Sequence, residues 1–152
     1  MTTTNDTDTR FAPIIRAAEQ LLSQRSVRTV KFTNVECITD EDRRNRLFRC
    51  SVEKPSAGIP ASLILKQVVA KNYQPDDATA GDTVRFFRDW VGAEFLSNLP
   101  GDPVHAPRFY GGDRQLGFII LEDLGQEQPS LVEPLLEGDP VSAEAALIRY
   151  MT

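Results

Sequence analysis

The sequence predicts an α+β domain, and three observations carry that expectation. Apolar residues recur at helical spacing between Phe11 and Leu22 and again between Thr83 and Leu99. Between and after those helices lie β-branched and aromatic runs bounded by glycine, proline and charged clusters. Three of those strands can pair with one another, with the middle helix packed on one face of the sheet. The predicted order is helix, three strands, helix, two strands and then helices.

The elements follow in chain order. Residues 1–9 are rich in Thr, Asp and Asn without an apolar anchor and read as a mobile tail. Phe11, Ile14, Ile15, Ala18, Leu21 and Leu22 define one apolar face of a first helix. Val27–Thr39 reads as a strand, "TDEDRRNR" (Thr39–Arg46) as a charged turn, and Leu47–Glu53 as the returning strand. "KPSAGIP" is a loop, followed by a third strand over Ala61–Ala70. The first three strands can pair as a meander. Residues 71–82 are polar and aperiodic, a loop before the helix Thr83–Leu99, which Pro100-Gly101 stops. Arg108–Gly111 and Leu116–Leu121 form two short strands around the turn "GGDRQ". Ser130 and Glu133 fit a capping box, and Asp139-Pro140 fits a second helix start. That last helix runs into Thr152 without a closing cap, so the chain is expected to stop within an element, as a fragment would.

Composition narrows the classes of function. The chain has 152 residues, one domain's worth, and a net charge of −5, which speaks against a nucleic-acid partner. Apolar runs fall far short of a membrane span, and MTTTNDTDTR lacks the charge and apolar core of a secretory signal. A cytoplasmic location without a membrane partner is the resulting expectation. Cys37 and Cys50 flank the charged turn and could face each other across two strands, yet reduced thiols fit that compartment better than a disulfide. Two cysteines and one histidine, His105, are too few for a zinc cluster, so no metal site is assigned.

Two charged residues fall on apolar faces. In "SLILKQVVA", strand alternation places Lys66 with Ile64 and Val68, opposite Leu63, Leu65 and Gln67. Either its stem packs while its head stays in water, or its ammonium has a partner. In the following helix Phe87, Val91 and Phe95 form one side with Trp90 beside them, and Glu94 falls inside that arc. An inward lysine and an inward glutamate on consecutive elements suggest an ion pair.

At this point the sequence resembles the N-terminal lobe of a protein-kinase-like phosphotransferase, nearest the aminoglycoside phosphotransferase and choline kinase-like group. The matching pieces are "SLILKQV", "GAEFLSNL", "APRFYGGD" and "GFIILEDLG", in order across about residues 26–128. The resemblance implies a lobe over 10–124 with a five-stranded antiparallel sheet and one packed helix between strands 3 and 4. It implies a hinge at 125–129 and the first helices of an incomplete C-terminal lobe at 130–152. It also implies ATP or GTP, with Mg²⁺, as cofactor. Lys66 would bind the α- and β-phosphates and Glu94 would hold it in place. Leu121 would lie behind the base, with the Glu122 carbonyl and the Leu124 amide on its edge.

The implied activity is phosphorylation of a small-molecule hydroxyl. Its catalytic and metal-binding loops would lie beyond Thr152, so no catalytic residue is assigned in this chain. Protein kinases cover the phosphates with a glycine-rich loop; here that position is the glycine-free Thr39–Arg46. Arg43, Arg44 and Arg46 could touch phosphate instead or simply be a solvated hairpin tip. The alternative at the level of function is a non-catalytic pseudokinase or interaction module of the same fold.

Overall fold

The computed structural model describes residues 7–40, 42–100, 106–126, 135–136 and 138–151. Helix α1 spans Thr7–Gln24, followed by strands β1 (Phe32–Cys37), β2 (Asn45–Val52) and β3 (Ser62–Val68). Helix α2 (Gly81–Ser97), strands β4 (Phe109–Asp113) and β5 (Phe118–Glu122), and helix α3 (Pro140–Met151) complete the order. The architecture is α+β, with one five-stranded antiparallel sheet ordered β1-β2-β3-β5-β4. The first three strands do form a meander. The chain then passes through α2 to the edge, forms β4, and returns as β5 beside β3.

That return explains the apolar run at 118–121. β5 lies between two strands and is covered on both faces, so Phe118, Ile119 and Ile120 are all buried. A strand covered on both faces loses the polar–apolar alternation of a half-solvated one.

One face of the sheet carries the main core. α1 lays Phe11, Ile14, Ala18 and Leu22 into a cluster with Phe48, Cys50 and Val52 of β2, Leu63 and Leu65 of β3, and Phe118 and Ile120 of β5. The Phe11 and Phe48 rings meet at 4.8 Å between centroids. Glu19 sits near the C-terminal end of α1, almost entirely buried. Its Oε1 accepts the Phe32 amide at 2.9 Å and its Oε2 the Lys31 ammonium at 2.7 Å. The Ser23 hydroxyl accepts the Val30 amide at 2.8 Å. These bonds stitch the helix to the start of β1 and satisfy backbone groups that would otherwise be left unpaired under the core.

The opposite face holds α2 at one end. The sheet admits the helix closely at Gly112, where a Cβ would collide with the Phe118 carbonyl oxygen and lie 2.7 Å from the Trp90 ring. Phe86 is buried, edge-on to Tyr73 at 5.3 Å and 5.8 Å from Trp90, and Trp90 continues to Phe109 at 5.7 Å. Thr83, fully buried, exchanges two 2.9 Å bonds with the backbone of Gln74 and so ties the 71–80 loop to the helix.

The structure corrects several sequence expectations. The inward stripe of α2 is Thr83–Phe86–Trp90, whereas Val91 and Phe95 are each 63% exposed. α1 begins at Thr7, so Thr7–Thr9 belong to a helix and not to a tail. β1 starts at Phe32 and not at Val27, whose side chain is fully exposed. Cys37 pairs with Phe48 and Cys50 with Val35 across β1–β2, so the two thiols do not face each other and both are free. The helix start at Asp139-Pro140 is as expected: Asp139 Oδ1 accepts the amides of Val141 and Ser142 at 3.0 and 3.1 Å. Ser130–Glu133, His105 and most of 125–129 lie outside the described residues. No helix among the described residues is long and apolar enough to cross a membrane.

Candidate functional site

The face of the sheet that α2 leaves uncovered forms a cavity of about 1040 Å³. β2 and β3 supply its floor through Leu47, Arg49, Ile64 and Lys66. Their side chains share this face because Leu47 pairs with Lys66 and Arg49 with Ile64 across the antiparallel ladder. The β1–β2 hairpin forms one wall, with Ile38, Thr39, Arg43 and Arg44, and the end of β5, Leu121–Gly125, forms the other. The lining joins apolar surface at Ile38, Leu47, Ile64, Leu121 and Leu124 to eight charged side chains, and the volume lies at the upper end of small-molecule sites.

Lys66 projects into this space with its side chain 25% exposed. Its ammonium donates to Asp89 Oδ2 at 2.6 Å. The expected partner, Glu94, is elsewhere: it is exposed, its Oε2 accepts the Trp90 indole N–H at 3.1 Å, and it does not line the cavity. Five residues along a helix amount to ~7.5 Å of rise and ~140° of rotation, so Asp89 and Glu94 cannot both reach one strand residue. With Phe86 and Trp90 turned inward, Asp89 lies beside that stripe and takes the lysine. Asp89 is 42% exposed, so the pair contributes at most about 1 kcal/mol to stability, and its consequence is the placement of the ammonium.

The two acids at the end of β5 have distinct tasks. Glu122 closes the β4–β5 ladder: its amide donates to the Arg108 carbonyl at 2.8 Å and its Oε2 accepts the Arg108 amide at 3.0 Å. Asp123 is the stronger feature, with a side chain only 7% exposed. It accepts the Arg49 guanidinium at 2.8 and 3.2 Å, the Ser62 hydroxyl at 2.6 Å and the Gly125 amide at 3.0 Å. Arg49 first, then Ser62 and the Gly125 amide, hold its carboxyl at about 2, against the cost of burial. The same contact raises the Arg49 guanidinium further above its ordinary value. Asp123 was not singled out from sequence. An arginine on the polar face of β2 and an acid just past the end of β5 were the available signals, but their pairing depends on β5 lying next to β3.

A comparison with protein-family models finds no match, and no curated protein matches the sequence.

Of the residues expected at a site, Lys66, Leu121, Glu122 and Leu124 line one cavity and Glu94 does not. Arg43 and Arg44 line it as well, whereas Arg46 is almost fully buried with its guanidinium donating to the Asp40 carbonyl. No group of three or more His, Cys, Asp or Glu residues among the described residues could hold a metal ion.

Proposed function

We propose that the chain is the nucleotide-binding lobe of an ATP- or GTP-dependent kinase of small-molecule hydroxyls, similar to the aminoglycoside phosphotransferase and choline kinase-like group. The observation that carries this reading is Lys66, placed mid-strand on the floor of a cavity whose far wall is the end of β5. Apolar surface at Leu47 and Ile64 on the floor and Leu121 on the wall suits a planar base, and the Lys66 ammonium in the same cavity suits phosphate. In this reading Asp89 holds the lysine, the role first expected of Glu94. Leu121 lies against the base, and the backbone at Glu122 and Leu124 meets its edge. Phosphoryl transfer itself, and the Mg²⁺ it uses, would need groups supplied from outside the described residues.

The glycine-free β1–β2 turn favours the alternative, a non-catalytic module of the same fold that binds nucleotide or a protein without turnover. Equilibrium titration of the chain with ATP and with GTP tests the reading. Saturable binding is expected, and Lys66→Ala should weaken it about tenfold, the loss of one charge-assisted contact. Unchanged affinity in Lys66→Ala would remove the lysine from the site.

A further inference from the structure

The β1–β2 turn has no glycine, yet it is tightly built. The Ile38 amide donates to the Leu47 carbonyl at 2.8 Å, and the Thr39 hydroxyl accepts the Leu47 amide at 3.1 Å. The buried Arg46 guanidinium reaches back to the Asp40 carbonyl, and the Arg43 amide is used on the same carbonyl at 3.3 Å. On the far side the Val69 amide donates to the Arg44 carbonyl at 2.9 Å, which anchors the tip over the end of β3. Asn45 pairs with Val68 and Leu47 with Lys66, so the tip stands directly beyond the lysine, on the same face.

The positive charges in the cavity divide into two sets. Lys66 is engaged by Asp89 and Arg49 by Asp123. Arg43 and Arg44 are exposed, line the cavity, and form no ion pair with any described residue. A guanidinium offers a planar fork of N–H donors that matches phosphate oxygens two at a time. Asp40 and Asp42 share this wall, so the turn has no large net positive field. Its attraction for an anion must therefore come from directed hydrogen bonds at short range.

We propose that Arg43 and Arg44 are the phosphate clamp of this cavity, binding the β- and γ-phosphates of a nucleoside triphosphate in place of the backbone amides of a glycine-rich turn. The inference rests on the reading of the cavity as a nucleotide site. It goes beyond that reading by assigning the polyphosphate to side chains of the hydrogen-bonded β1–β2 hairpin. The ligand class follows: affinity should climb with the number of phosphates, and nucleosides should bind weakly.

Calorimetric titration of the whole chain with adenosine, AMP, ADP and ATP, and with guanosine and GTP, reads this directly. In the wild-type chain the triphosphate should bind at least about a hundredfold more tightly than the nucleoside. Arg43→Gln/Arg44→Gln should remove most of that difference, about tenfold per arginine, while nucleoside affinity and the thermal midpoint stay unchanged. If the double variant binds the triphosphate as tightly as wild type, the clamp is refuted and the nucleotide site stands. If neither nucleoside nor triphosphate binds the wild-type chain, the nucleotide reading fails and the clamp with it.

Discussion

Replacing Asp123 by asparagine keeps the shape of the side chain and removes its charge. In the wild-type chain the carboxylate collects four bonds from Arg49, Ser62 and Gly125 while 7% exposed. Its carboxyl falls from an ordinary 3.8 to about 2 on folding. At 1.4 kcal/mol per pH unit this is worth about 2 kcal/mol. Breaking a fully buried pair costs about 3–5 kcal/mol. Arg49 keeps 19% of its side chain exposed and can find water, so the lower figure is the one to expect. The sign follows from the depressed value. The contribution is complete well above 3.8, the value in the unfolded chain, and disappears as pH falls through about 2.

Urea denaturation of the wild-type and Asp123→Asn chains at pH 7 and pH 3 measures it. The variant should be less stable by about 2 kcal/mol at pH 7 and by about half of that at pH 3. Other carboxylates titrate in both chains and cancel in the difference. A cost below about 0.5 kcal/mol at pH 7, the range of an ordinary surface change, would refute the reasoning. So would a cost that does not change with pH.

Two further outcomes follow from the packing. Phe86→Ala, which empties the space between α2 and the sheet, should cost about 3–5 kcal/mol in the same assay. Phe95→Ser, on the exposed side of the same helix, should stay within about 0.5 kcal/mol; equal costs would mean the helix is rotated from the orientation described. For the thiols, burial pushes Cys50 up to about 12, whereas Cys37 is exposed. A chromogenic disulfide at pH 8 should label one thiol promptly, Cys37→Ser should abolish that phase, and Cys50 should react only on unfolding. Prompt reaction of both would contradict the placement of Cys50 in the core.

The elements that can be read from sequence are those whose partners are local. The alternation in "SLILKQV" placed Lys66 opposite Leu63 and Leu65, and the structure has it so. The meander of β1–β3 followed from two short connections. α2 was harder because it carries two apolar stripes, Phe86–Trp90 and Phe87–Val91–Phe95. Periodicity gives the angle between residues but not which stripe meets the sheet. Gly112 decides that by admitting Trp90, and its effect is visible only once β4 is placed at the edge. That one rotation is why Asp89, and not the expected Glu94, meets Lys66. Asp123 was illegible for a similar reason: its partners, Arg49 and Ser62, stand 74 and 61 residues away.

The Asp123 contacts also fix the end of β5 to the middle of the sheet. Because Asp123 is bonded to both β2 and β3, the strand end cannot swing without pulling Arg49 and Ser62 with it. Just beyond it the Gly125 amide donates to Asp123 Oδ1, and the φ of 89° there falls where a side chain would be strained although no neighbour crowds the space. The cavity wall formed by Leu121–Asp123 is thereby held in register with Lys66, as a door frame is held square by its own joints.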